Sequence, residues 1–120
     1  MRSKFKNNHT LEERTQESTR IMTKYPERIP IICENYEKNN VSVPTLDKTK
    51  YLVPMDLTIG QFMFVLRKRM KLPSEQAIFL FVNGTIPSSN SLVYELYDEH
   101  KDVDGFLYIG YSGENTFGNQ

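Results

Sequence analysis

The chain has 120 residues, 38% of them hydrophobic, and its 15 Lys and Arg offset 15 Asp and Glu. That length fits one domain able to bury roughly two-thirds of the surface its unfolded chain would expose, and the neutral balance gives no electrostatic case for a nucleic-acid partner. The single cysteine, Cys33, excludes an internal disulfide, and the longest apolar run, "AIFLFV", is far too short to span a bilayer.

The first residues, "MRSKFKNNHTLEERTQE", lack the apolar core of a secretory signal. Within them "RSKFKNN" could form a helical turn or two. "HTLEERTQESTRIMTKYP" starts with a capping box, Thr10 and Glu13, in which each side chain takes the other's free backbone N–H. Leu11, Ser18, Met22 and Tyr25 fall on one thin stripe, and Pro26 closes the helix. So narrow a face suits a helix laid on a finished core. "RIPIICE" and "KTKYLVP" are strands by their β-branched and aromatic content, with Ile29, Ile31 and Cys33 on one face. Pro30 argues against a central position for the first of them. The turn-rich "NYEKNNVSVPTLD" between them fits the exposed connection of a long hairpin.

"LTIGQFMFVLRKRM" carries the clearest helical pattern. Thr58 and Gln61 form a second capping box, Leu57 and Phe62 stand at the positions of a hydrophobic staple, and Ile59, Phe62, Met63, Leu66 and Met70 share one face. Pro73 is expected to stop it. "AIFLFV" follows as a strand apolar on both faces, and Asn83-Gly84 supplies a tight turn. "NSLVYELYDEH" predicts a short helix with Leu92, Val93, Leu96 and Tyr97 inward, and "GFLYIGYS" alternates as a last strand. The order is an α+β arrangement, a β-grasp: a four-stranded mixed sheet with crossing helices, preceded by two N-terminal helices. We divide it into a helical extension over 1–26, a core over 27–113 and a tail over 114–120, one domain overall.

Catalytic signatures are missing from the sequence. Cys33 has no neighbouring cation or helix N-terminus in its run to activate it, His9 and His100 lack ligand spacing, and no phosphate-binding glycine loop occurs. We therefore expect no enzyme, no metal and no cofactor. The tail "YSGENTFGNQ" suggests another chemistry. A glycine without Cβ can pass through a narrow channel and offer its own backbone carboxyl as the reactive group. Here Asn119 and Gln120 cover Gly118, so the chain as written would be a precursor.

"KYPERIPIICE", "KYLVPMDLTIGQFMFVLRKRM", "AIFLFVNGTIP", "LYDEH" and "FLYIGYSGENTFG" together resemble the autophagy-related protein 8 family, in one order over nearly the whole chain. "YLVP" and the tail look nearer to its GABA-receptor-associated branch. The resemblance implies a ubiquitin-like modifier. A processing cysteine protease would cut after Gly118 with Phe117 in its groove. Activating and conjugating enzymes would then pass Gly118 to the amine of phosphatidylethanolamine. The protein would be cytoplasmic, and on the autophagosome membrane after lipidation. The alternative is an adaptor of the same fold that binds peptides without being conjugated.

The resemblance also implies that cargo receptors bind through aromatic-x-x-aliphatic motifs added as a strand along "KTKYLVP". Glu17, Ile21, Pro30, Ile32, Lys50, Leu52 and Phe106 would line the aromatic pocket. Tyr51, Val53, Pro54, Leu57, Phe62 and Val65 would line the aliphatic one, with Arg28, Lys48 and Arg69 meeting acidic flanks. Lys4, Lys6 and Arg14 would be a further patch for tubulin or membrane. Two features depart from the family. Thr10-Leu11 replaces a His-Pro-Phe-type opening after His9, and the connection around "NNVSVPT" is about two residues longer than in the GABA-receptor-associated protein.

Overall fold

The computed structural model describes residues 3–37 and 42–114. Its elements run α1 (Lys4–Asn8), α2 (Leu11–Lys24), β1 (Arg28–Asn35), β2 (Lys50–Pro54), α3 (Ile59–Met70), β3 (Phe79–Phe81), α4 (Val93–His100) and β4 (Leu107–Ser112). They form a four-stranded sheet in the order β2-β1-β4-β3. The central pair, β1 and β4, is parallel, and both outer pairings are antiparallel. This is the β-grasp expected, with helices on both faces.

Period-two alternation sorts β1 and β2 between those faces. Ile29, Ile31, Cys33, Tyr51 and Val53 point to one side, where they pack with Ile59, Phe62, Leu66 and Met70 of α3 and Val93, Leu96 and Tyr97 of α4. Phe5, Ile32 and Phe106 form a smaller cluster on the other side, joined by Ile21 and Tyr108. Burial pushes the Cys33 thiol well above its ordinary pKa, as befits a core residue.

Both capping boxes are formed. Thr10 N–H donates to Glu13 at 2.8 Å and Thr58 N–H to Gln61 at 2.9 Å, each with its reciprocal bond at 3.1 Å. The hairpin turn is formed too. Asn83 and Gly84 have φ of 50° and 78°, and Val82 and Thr85 exchange backbone hydrogen bonds across them.

Four expectations need correction. Of the stripe expected on α2 only Ser18 is buried: Met22 is half-buried, Leu11 is 50% and Tyr25 40% exposed. The inward face runs through Arg14, Ser18 and Ile21, because the surface beneath it is polar as well as apolar. Pro30 does sit in a central strand. Cys33 N–H donates toward β2, to Thr49 O at 2.8 Å. By alternation the missing Pro30 N–H would face β4, whose pairing with β1 begins one residue later at Ile31–Leu107. No ladder bond is lost there. α3 ends before Pro73, at Met70, where Lys71 takes a left-handed conformation (φ 57°) and its N–H returns to the Arg67 and Lys68 carbonyls. β4 hardly alternates in burial, because it is interior to the sheet and covered on both faces.

Candidate functional site: the open edge of β2

β2 ends the sheet, so one side of its backbone has no strand partner among the described residues. The Cys33–Thr49 bond fixes which groups are spare. In an antiparallel ladder with that register, Thr49, Tyr51 and Val53 turn their polar groups to β1, while Lys50 and Leu52 turn theirs outward. The Leu52 carbonyl already accepts from Arg28 Nη1 at 3.2 Å. Capping of this kind keeps an exposed edge from indiscriminate pairing.

On the α1/α2 side of this edge, the structure gathers the seven residues assigned to an aromatic pocket. Ile32 and Phe106 are fully buried. Pro30 is buried opposite half-buried Leu52, and Ile21 of α2 packs against the Ile32 and Phe106 cluster. Lys50 forms an ion pair with Glu17. Sequence reasoning missed Phe5, which is 8% exposed and meets the Phe106 ring edge-on at 5.5 Å, with Lys50 Nζ 5.8 Å above it. A lone aromatic in a five-residue polar helix carries no periodic signal.

Toward α3 the second group divides. Tyr51, Val53 and Phe62 are core residues, with Tyr51 and Phe62 edge-to-face at 5.6 Å. Leu57 is half-buried, while Pro54 and Val65 are exposed. An open hollow of about 460 Å³ starts at Leu57 and Val65 and runs on to Gln61, Phe64, Ser89 and Asn90. It shares only two residues with the predicted pocket and extends beyond it along α3. The Tyr51 hydroxyl is buried, and burial pushes its pKa up to about 12.

The three flanking cations are partly engaged. Arg69 Nη2 pairs with Asp47 at 2.9 Å, Arg28 caps the edge, and Lys48 Nζ lies 5.1 Å from the Tyr51 ring centroid. The patch over Lys4, Lys6 and Arg14 is largely consumed within the protein. Lys6 pairs with Asp102 at 2.6 Å and Arg14 with Asp104 at 2.8 Å. Asp104 is fully buried; it also accepts from the Tyr108 hydroxyl at 2.5 Å and Phe106 N–H at 2.9 Å, and its carbonyl takes the Ser18 hydroxyl. This network clasps α2 to the sheet and so places Glu17 beside Lys50 at the edge of β2. Phe117 and Gly118 lie outside the described residues.

Comparison with known proteins matches this architecture. The family described as "Autophagy protein Atg8 ubiquitin like" matches residues 13–118. The chain belongs to that family. It is 59% identical over 119 residues to autophagy-related protein 8 of Coccidioides immitis, spanning 99% of this chain and 100% of that one. The relative of the same name from Mycosarcoma maydis is 58% identical over 118 residues, covering 98% of each chain. The crystal structure of Trypanosoma brucei ATG8 superposes with a TM-score of 0.87 at 46% identity, over 98% of this chain and 100% of that one. The family match begins at Glu13, so α1 and the start of α2 lie outside it. The chain is thus an autophagy protein of ubiquitin-like fold. No helix among the described residues is long and apolar enough to cross a membrane.

Proposed function

We propose that the chain is a modifier and not an enzyme: a ubiquitin-like handle, cut after Gly118 and joined to phosphatidylethanolamine on autophagosomal membranes. A cysteine protease holds Phe117 and hydrolyses the Gly118–Asn119 bond. An activating enzyme adenylates the Gly118 carboxylate with ATP, releasing pyrophosphate; its thiol then displaces AMP, and a conjugating enzyme takes over the thioester. The lipid amine attacks its carbonyl carbon, the thiol leaves, and an amide remains. Two acyl chains then anchor the domain, since each buried CH₂ contributes about 0.8 kcal/mol. In this division of labour 1–26 shapes the groove, 27–113 presents it, and 114–120 is the working end. "YLVP" and the tail favour the GABA-receptor-associated branch.

Cargo receptors and autophagy factors dock through aromatic-x-x-aliphatic motifs. The observation that carries this reading is the edge position of β2, whose Lys50 and Leu52 backbone groups face away from β1 between the Phe5–Ile32–Phe106 cluster and the hollow at Leu57 and Val65. A strand added there makes main-chain bonds and places alternate side chains toward the cluster and the hollow. Two apolar anchors at roughly 1.5–3 kcal/mol each, less the cost of ordering the peptide, give micromolar affinity, about −8 kcal/mol.

Intact mass of the protein from its native cell tests conjugation. Loss of Asn119 and Gln120 with a phosphatidylethanolamine adduct is expected, and Gly118→Ala should abolish the adduct. Full-length mass in every molecule would instead identify an unconjugated adaptor. For the groove, Lys50→Ala with Leu52→Ala, at an exposed and a half-buried edge position outside the core, should weaken a labelled motif peptide at least about tenfold with circular dichroism unchanged. Undiminished binding would place the groove elsewhere.

A further inference from the structure

β4 ends at Ser112, and the chain leaves the sheet through Gly113 and Glu114. One side chain holds that exit. The Glu37 carboxylate accepts from Gly113 N–H at 2.9 Å and from the Ser112 hydroxyl at 3.3 Å. It also accepts from Ser42 N–H at 2.9 Å, from Val43 N–H at 3.4 Å and from the Ser42 hydroxyl. A single acid therefore joins the connection that follows β1 to the root of the C-terminal tail.

The surroundings are closely fitted. Tyr36 N–H donates to Tyr111 O at 2.9 Å. A Cβ on Gly110 would stand 2.0 Å from the Tyr36 ring, and one on Gly113 would stand 2.1 Å from Ser42 Oγ and 3.2 Å from Val43 Cγ1. Val43 is only 2% exposed and belongs to the main core, so the clasp is backed by rigid structure. Burial alone would raise the Glu37 pKa, but the bonds from Ser42, Gly113 and Val43 outweigh it and hold the acid below its ordinary value. Charged acceptors make the stronger hydrogen bonds. Closing the connection on itself would need only the contacts to Ser42 and Val43. Those to Ser112 and Gly113 serve the tail.

We infer that Glu37 is a positioning residue for C-terminal processing: it fixes the point from which the tail departs. The inference rests on the cleavage after Gly118 proposed above. Gly118 is five residues past Gly113, so it can stand no more than about 18 Å away at about 3.6 Å per residue. The protease must work within that radius of the clasp. Ser112 is held by its pairing with Phe79 of β3, but Gly113 lies past the strand: with the root fixed it is already placed when the protease binds, and with the root released it must be ordered on binding. That entropy is lost on binding and appears in KM. The step is hydrolysis. The Gly118–Asn119 C–N bond breaks, the oxygen of water ends on the Gly118 carboxylate, and a proton goes to the Asn119 amine.

The test compares the full chain with Glu37→Ala and Glu37→Gln. Cleavage by the cysteine protease purified from the native cell is followed as the mass loss of Asn119-Gln120, alongside amide hydrogen exchange. Glu37→Ala should raise KM about fivefold with kcat nearly unchanged, and should speed exchange at Gly113 and Ser42 but not in α3. Glu37→Gln, which keeps an acceptor for Gly113 N–H, should fall between. Equal KM, a fall in kcat alone, or unaltered Gly113 exchange would overturn the inference. If the wild-type chain is never cut, the processing reading fails, and the exchange data still decide whether Glu37 holds the root.

Discussion

The two faces of the sheet are held by different forces. Toward α3 and α4 the contacts are almost wholly apolar, and side chains such as Phe62 and Leu66 have no exposure at all. Toward α1 and α2 the apolar cluster is small, and the helices are fastened by the buried Asp104 network and the Lys6–Asp102 pair. The proposed groove lies where the faces meet at the edge of β2. Its aliphatic end therefore rests on residues the fold cannot spare. Its aromatic end rests on a wall fastened by polar bonds, and such a wall can be displaced without unfolding the sheet.

Two substitutions should separate the faces. Phe62→Ala removes a fully buried ring from the main core and should cost about 3–5 kcal/mol. Denaturant melts should show it as global loss. Asp104→Ala leaves Arg14, whose side chain is 11% exposed, without its partner and orphans the Tyr108 hydroxyl. We expect about 2–3 kcal/mol, with hydrogen exchange rising in α2 and not in α3. Binding of the motif's aromatic residue should weaken with it. Equal loss of protection in both helices would mean that the faces are one cooperative unit.

Acid should act on the polar face first. Burial pushes the Asp102 carboxyl up, but the bonds from Lys6 and the Asp104 N–H bring it below its ordinary value of 3.8. A folded pKa below the unfolded one contributes stability above the unfolded pKa, and that contribution disappears as pH falls through the folded value. Between about pH 5 and pH 2 the wild-type melting temperature should therefore fall more steeply than that of Asp102→Asn. At pH 7 the two should differ by less than about 1 kcal/mol, because the pair is partly exposed and screened. Glu37 titrates in the same direction in both proteins, so the difference isolates the Asp102 carboxylate, and a Lys6→Met background separates the tie to α1 from the bond to the Asp104 N–H. Parallel pH profiles would show that Lys6–Asp102 contributes nothing.

The apolar face was legible in the sequence because its signals are periodic. The α3 stripe, both capping boxes and the Asn83-Gly84 turn are short-range patterns with one physical meaning each. The polar face was not. Arg14 looks like a solvent residue until Asp104, some ninety positions away, supplies its partner, and the same Asp104 takes the Ser18 hydroxyl. Pro30 looked unsuited to an interior strand because the start of the β1–β4 ladder cannot be read from local composition. Lys50 and Leu52 could be turned outward by alternation alone, whereas Phe5 and Glu37 act only through contacts made on folding.

The smallest effect concerns a cation that both ligand and protein can use. Arg69 would meet an acidic residue flanking a docked motif, yet Asp47 already occupies it at 2.9 Å from an 80% exposed side chain. Bound to Arg69, Asp47 has its pKa lowered, so it is charged wherever the ligand is. Docking then exchanges one exposed pair for another, and net affinity gains little. Asp47→Asn removes the competitor and keeps the side-chain shape. A peptide with acidic flanks should bind about two- to threefold more tightly, while one with neutral flanks should not change; this is the scale of an exposed pair. At about 1 M salt, where the screening length is near 3 Å, the gain should vanish. A gain that survives salt, or that extends to the neutral peptide, would mean that Asp47 obstructs the groove by its bulk and that Arg69 does not read the flank.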